Sequence, residues 1–302
     1  SPYSLQSQPA RMSVYPLLYN ILVAPLSRVF GATLELHRVV AALFILACCA
    51  IIFYVCRKEL VARTESFAAA TLLYAGLLYY STPIASPNSL GLFLFLSAII
   101  IPWVYGFSKR SLCTAIIVGI LAFYTKQYFI ACLGYIAFYL FLAESKKRAM
   151  AFGLAALAAF IVAMIFVSYT SPYYFDNTFF VVQSVSKLAS SYAHLVTQFR
   201  EYTLTYLPLL VILAAWSVQK CYSRIFSSTQ QVQNLQEKKL VSFADMDAPL
   251  LLQKPNYIWI CCTCSILIIV ASLGRNAGNH LTYFFQLISP FLLAGIFALV
   301  SD

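Results

Sequence analysis

The sequence predicts an all-α fold: a polytopic bundle of membrane helices, with an amphipathic helix lying on the exterior surface. Three observations predict it. Of the 302 residues, 62% are hydrophobic and 10% charged, where a soluble domain carries about 25% charged residues. The mean hydropathy is +0.81. Charge-free apolar runs of near-bilayer length recur along the chain. A helix of about 20 residues crosses the hydrocarbon core, because every backbone polar group must be paired inside lipid. These features exclude a soluble enzyme, a disordered chain and a nucleic-acid-binding domain, despite a pI near 9.1. The net charge of +10 arises from 20 Lys and Arg against 10 Asp and Glu. On a membrane protein that excess belongs on cytoplasmic loops.

Residues 1–36 read as the end of an exterior loop. Within it, Leu17, Leu18, Ile21, Leu22, Leu26 and Val29 recur at near-helical spacing, while Ser13, Asn20, Ser27 and Arg28 take other positions. This spacing predicts an amphipathic surface helix over 14–30. Pro16 suits its first turn and Gly31 its end. The transmembrane domain then covers 37–302. Its candidate spans are roughly 39–56, 67–82, 89–107, 111–125, 127–143, 149–170, 203–219, 256–274 and 284–300, about nine helices. The two runs that meet at Lys126 also read as one interrupted hairpin.

Charge orients these spans. The loops after the first, third and fifth carry Arg57, Lys58 and Arg63, then Lys109 and Arg110, then Lys146, Lys147 and Arg148. The alternate short loops carry only Lys126 and Arg275, a tally of eight against two. The positive-inside rule places 57–66, 108–110 and 144–148 in the cytoplasm. Residues 171–202 then form an exterior loop. Residues 220–255, with Lys220, Arg224, Lys238, Lys239, Lys254 and a Gln-rich centre, form a cytoplasmic connector. The chain starts at Ser1 rather than Met, and its last apolar run stops at Ser301-Asp302, so a fragment is expected. No signal peptide and no internal repeat are evident.

Of nine cysteines, only Cys221 lies in a clearly polar stretch. Cys261-Cys262-x-Cys264 has a metal-like look, but a closed zinc site needs four ligands and the nearest His is His280. These read as small apolar residues of a membrane helix, and no metal site is assigned.

The polar residues on the exterior side carry the functional signal, since ionisable groups at membrane depth are costly. Lys126 sits in Phe123-Tyr124-Thr125-Lys126-Gln127-Tyr128 between two apolar runs. It either snorkels to interfacial water or holds a phosphate as a point charge. Arg275-Asn276-Ala277-Gly278-Asn279-His280-Leu281-Thr282-Tyr283 packs a cation, two amides, an imidazole and a phenol into one short turn. That density suits a hydroxyl-rich or phosphate-bearing ligand, and otherwise reads as an interfacial turn with aromatic anchors. Pro83-Ile84-Ala85-Ser86-Pro87-Asn88 is, on its residues alone, ordinary turn chemistry. His37 and Arg38 mark the head of the first span. Glu35, Asp176 and Glu201 are the exterior acids, and a single acid in a polar loop is usually solvated. Gly-rich phosphate loops, nucleophile elbows and zinc-protease signatures are absent from the sequence.

Taken in order, these segments resemble the GT-C superfamily of membrane glycosyltransferases. The likeness is to the bacterial branch similar to protein O-mannosyltransferases and the lipid A aminoarabinose transferase. It runs across most of the chain: Tyr15-Pro16-Leu17-Leu18-Tyr19, Phe30-Gly31, Arg38, then Pro87-Asn88 where many members have Pro-Asp. Gly119 to Gln127, ending Thr-Lys-Gln, and Gly278 to Phe284, with Thr282 where Asn is common, complete it. The resemblance implies sugar transfer from a polyprenyl-phosphate donor to a glycan, lipid or protein acceptor on the exterior face. It implies a bacterial inner membrane, although an endoplasmic reticulum membrane would share the orientation. It also implies an acidic base near the start of the first exterior loop. Residues 1–34 contain no Asp or Glu, so the base and one further helix are expected upstream of Ser1.

In that chemistry a carboxylate takes the acceptor proton, and cations stabilise the leaving lipid phosphate. Lys126 and Arg275 are the candidates for the phosphate. Asn88, Asn279, His280, Tyr283 and Gln127 are the candidates for sugar or phosphate hydrogen bonds. The lipid-phosphate sugar is a substrate, and no cofactor is predicted. The competing reading is a transporter or flippase of a lipid-linked or anionic solute, which would place polar residues along a path within the spans. A structural membrane subunit is a third.

Overall fold

A computed structural model describes residues 17–59, 61–80, 87–170, 174, 256–272 and 280–301, with backbone alone at 78–80, 269–272, 280–286 and 299–301. The chain divides into two compact units, Ser1–Ser191 with Pro255–Asp302, and Tyr192–Lys254. Every described residue belongs to the first. The expected span at 203–219 and connector at 220–255 lie outside the described residues, as does all of the 171–202 loop except Tyr174.

Among the described residues the structure is helical throughout. The elements are α1 (Leu18–Phe30), α2 (Leu34–Lys58), α3 (Arg63–Tyr80), α4 (Asn88–Val104), α5 (Lys109–Phe123), α6 (Ala131–Tyr139), α7 (Lys146–Thr170), α8 (Tyr257–Ser272) and α9 (His280–Ser301). A 3₁₀ turn, Gln127–Ile130, leads into α6, and a π turn, Leu140–Glu144, leads out of it. Three helical runs are long and apolar enough to cross a membrane: Leu34–Lys58, Gln127–Glu144 and Lys146–Thr170. Others are apolar but shorter. At 17 residues, α4 reaches only about 25 Å at the helical rise, less than the roughly 30 Å hydrocarbon core.

Local chemistry sets several ends. Gly31 closes α1 at φ 84°, a conformation that disfavours any side chain. The Thr33 hydroxyl caps α2 by accepting from the Leu36 N–H at 3.3 Å. Ser108 caps α5 in the same way for Ser111. Between α4 and α5 the chain reverses at Gly106 and Phe107, both at positive φ. Phe107 is held there by burial against Tyr139, 4.7 Å away and stacked, and by an edge contact to Tyr257 at 5.2 Å.

Among the described helices α4 packs on α5, α8 on α9 and α2 on α3. One core joins them. Phe95 of α4 lies at its centre, in ring contact with Phe129, Tyr135 and Phe291. Apolar burial drives little association between helices in lipid, so close packing and interhelical hydrogen bonds hold such a bundle. Both occur here. The Tyr135 hydroxyl donates to Ser265 Oγ at 2.9 Å, and that hydroxyl donates to the Leu287 carbonyl at 2.9 Å, linking α6, α8 and α9. The Tyr257 hydroxyl reaches the Ile99 carbonyl at 3.1 Å, joining α8 to α4. Cys261, Cys262 and Cys264 are buried in the same core.

Two glycines set helix separations. A Cβ on Gly91 would collide with the Phe129 ring and with Thr125 Oγ1. One on Gly119 would press on Leu133 of α6. We predict that Gly91→Ala destabilises the detergent-solubilised protein by about 1–3 kcal/mol through overpacking. The measurement is the thermal unfolding midpoint, and an unchanged midpoint would contradict this close approach.

Candidate functional site

The site is built around the turn that joins α5 to the 3₁₀ turn. The helix ends at Tyr124, whose N–H still donates to the Ile120 carbonyl at 3.1 Å. Thr125 and Lys126 then both donate their N–H groups to the Ala122 carbonyl, at 3.0 and 3.1 Å. The Thr125 hydroxyl reaches the same carbonyl at 2.6 Å. Lys126 leaves the helix in an extended conformation, φ −159° and ψ 131°. Its carbonyl receives the Phe129 N–H at 3.1 Å. The chain has therefore reversed within two residues.

This reversal places three helices around one turn. The Tyr124 carbonyl accepts the Leu18 N–H at the start of α1, at 3.1 Å. The Tyr124 hydroxyl donates to the Ala163 carbonyl of α7 at 2.7 Å. Lys126 Nζ donates to Asn88 Oδ1, at the start of α4, at 2.8 Å. The same ammonium lies 5.4 Å from the centre of the Tyr128 ring, a cation–π distance. Lys126, Asn88 and Gln127 are all half-buried. Ser89, next to Asn88, is buried, and its hydroxyl has no hydrogen-bond partner among the described residues.

The Lys126 ammonium is fixed on an amide oxygen and an aromatic face. Burial lowers its pKa from the ordinary 10.5 to about 8, because the charged form is poorly solvated there. An anion beside it would restore what desolvation removes.

An apolar groove of about 480 Å³ adjoins the turn, within the usual size range for a ligand site. Leu17 and, from α1, Leu18 and Ile21 form one wall, Val162 and Phe166 of α7 the other, and Tyr124 and Tyr174 contribute to its lining. The helix α1 also packs on the bundle. It buries Tyr19 and Val23 against Val40 and Leu90, while Val29 and Phe30 stay exposed. The Tyr19 hydroxyl lies 3.0 Å from His37 Nδ1, tying α1 to the head of α2.

The structure brings together Lys126, Asn88 and Gln127 from the sequence candidates. His280 and Tyr283 fall at the start of α9, where the backbone alone is described. Arg275 and Asn279 lie outside the described residues, as do Asp176 and Glu201. Glu35 is exposed in the first turn of α2. Sequence reasoning passed over Tyr124, which anchors both α1 and α7. Its aromatic character was visible, but its partners, 106 residues before it and 39 after, were not. The α7 wall of the groove was read only as part of the candidate span 149–170. In comparisons with protein-family models, with curated proteins and with solved structures, nothing matches this chain.

The lowered pKa has a direction that can be tested. Between about pH 8 and 10.5 the unfolded chain binds more protons at Lys126 than the folded one, so this residue makes stability rise with pH across that window. Anion binding runs the other way. Binding of a lipid phosphate, measured by equilibrium titration, should weaken as pH rises through about 8. Lys126→Arg should remove that dependence, since guanidinium stays charged.

Proposed function

We propose that this protein is a membrane glycosyltransferase, moving a sugar from a polyprenyl-phosphate donor to an acceptor on the exterior face. The observation that carries the reading is the juxtaposition of the Lys126 ammonium, held by Asn88 at 2.8 Å, with an apolar groove two residues away along the chain at Tyr124. A lipid phosphate has that same division, a compact anionic head on an apolar tail. The groove takes the first isoprene units, with α1 as its outer wall. The ammonium faces the phosphate.

The chemistry follows from charge. As the glycosidic bond to phosphate breaks, negative charge accumulates on the leaving oxygen. A preplaced cation in a poorly hydrated site lowers that barrier more than it would in water. Asn88 orients the ammonium, and Gln127 offers an amide to the phosphate or sugar. Arg275, Asn279, His280 and Tyr283 complete the head-group site in this reading. A carboxylate takes the proton of the acceptor hydroxyl. The chain crosses the bacterial inner membrane about nine times, with the basic loops in the cytoplasm and the Lys126 turn outside.

The test uses the chain in detergent or nanodiscs with a radiolabelled polyprenyl-phosphate hexose. Release of sugar to water or to an added acceptor is the expected outcome. Lys126→Ala should reduce it by about 100-fold or more, the loss typical of one removed stabilising group, with membrane insertion unchanged. Full activity of that variant would remove Lys126 from the site. Movement of the labelled lipid across a vesicle bilayer without sugar release would replace this reading with a flippase.

A further inference from the structure

The end of the bundle opposite Lys126 has a separate character. There α2 ends, α3 begins, α4 turns into α5, and the run from α6 turns into α7. Arg57, Lys58, Arg63, Lys109, Arg110, Lys146, Lys147 and Arg148 are all exposed. The fold gathers them from three loops far apart in sequence. Lys58 Nζ donates to the Val104 carbonyl at 3.1 Å, and the Arg148 guanidinium donates to the Phe107 carbonyl at 2.6 Å. The loops at 57–63, 104–110 and 144–148 therefore adjoin.

These eight cations face three carboxylates, Glu59, Glu65 and Glu144, which leaves an excess of five positive charges. Glu144 is paired with Arg148 at 2.9 Å. The side chains of Arg63, Lys109, Arg110 and Lys147 make no hydrogen bond, ion pair or ring contact among the described residues. All four lie in the first turns of α3, α5 and α7, where the helix dipole is itself positive and disfavours them. The protein's own field thus opposes this arrangement, and an external anion layer would relieve it.

Aromatic residues stand among the cations. Phe67 and Tyr105 are each 67% exposed, and Lys58 lies 4.5 Å over the Trp103 ring. Exposed aromatics at the ends of apolar helices belong at a bilayer interface. Directly along α7 from its cations, Met150, Leu154 and Leu157 are exposed. Cations, aromatic residues and, farther along α7, exposed apolar residues share this end of the bundle, the three kinds of group that a phospholipid's phosphate, glycerol and acyl regions would meet.

We propose that this basic end binds the headgroups of anionic phospholipids in the adjoining leaflet. The inference rests on the membrane-crossing helices and not on the glycosyltransferase reading, so either can fail alone. The exposed aromatic and apolar residues beside the cations favour a lipid over a soluble polyanion, which would need the cations only. Each cation at an anionic surface contributes about fivefold to partitioning at moderate salt.

The experiment uses the full chain in neutral detergent, titrated with fluorescent phosphatidylglycerol and phosphatidylcholine of the same acyl chains. Phosphatidylglycerol should bind about tenfold or more tightly, and high salt should abolish most of the difference. The variant Arg63→Gln/Lys109→Gln/Arg110→Gln/Lys147→Gln should bind both lipids alike, with its helical circular dichroism unchanged. Should that variant fail to fold, the salt series on the unaltered protein still decides. Equal binding of the two lipids, a preference that survives high salt, or a preference that survives the four substitutions would overturn the proposal. So would inorganic polyphosphate that binds more tightly than phosphatidylglycerol, which would mark the surface as one for soluble polyanions.

Discussion

The Lys126–Asn88 hydrogen bond exists because the start of α4 can approach the turn after α5 without an intervening side chain. Gly91 provides that approach, with Thr125 and Phe129 filling the space that a Cβ would occupy. The bond is 2.8 Å long and holds an ammonium away from bulk water. The cost of desolvation appears as the lowered pKa of Lys126, to about 8. A side chain held this way is prepared for an anion, since binding one requires no further ordering and little further loss of water. The remaining geometry of the site follows from the same turn. Tyr124 fixes α1 through its carbonyl and α7 through its hydroxyl, so the groove walls are positioned by the residue two before the cation.

The bundle below that turn is held by a small number of polar contacts set in a dense apolar core. In lipid, apolar surface gains little by leaving its surroundings, so specificity has to come from fit and from paired polar groups. The Tyr135–Ser265–Leu287 chain meets that need across three helices. Tyr257 extends it from α8 to α4. Phe95 supplies the fit, meeting rings from α9, from α6 and from the 3₁₀ turn that leads into it. Because Phe129 touches both Phe95 and the space beside Gly91, core packing and site geometry share a residue.

The two ends of the bundle present different electrostatics. At the Lys126 end one described cation is drawn into a half-buried setting beside an apolar groove. At the other end eight cations stay exposed, and two of them, Lys58 and Arg148, reach backbone carbonyls of neighbouring loops. One end suits a single phosphate held at a fixed point, and the other suits a diffuse layer of many.

What was legible in the sequence was whatever depends on composition and periodicity. The apolar runs gave a helical chain with helices capable of crossing a membrane, because backbone groups in lipid leave few alternatives. The spacing of Leu18, Ile21 and Leu22, with Gly31 after them, gave the helix Leu18–Phe30 and its end. Lys126 stood out because a cation between two apolar runs is costly. The tertiary structure alone decided what that cation touches. Asn88, 38 residues away, read as turn chemistry on its residues alone and as a sugar or phosphate ligand through the resemblance, and neither reading paired it with Lys126, whose ammonium it accepts. The roles of Tyr124 and Gly91 were likewise invisible, because each is defined by partners on other helices. Local pattern sets which segments are helices. The register at which those helices pack, a matter of close contact between residues distant in sequence, sets which polar groups meet.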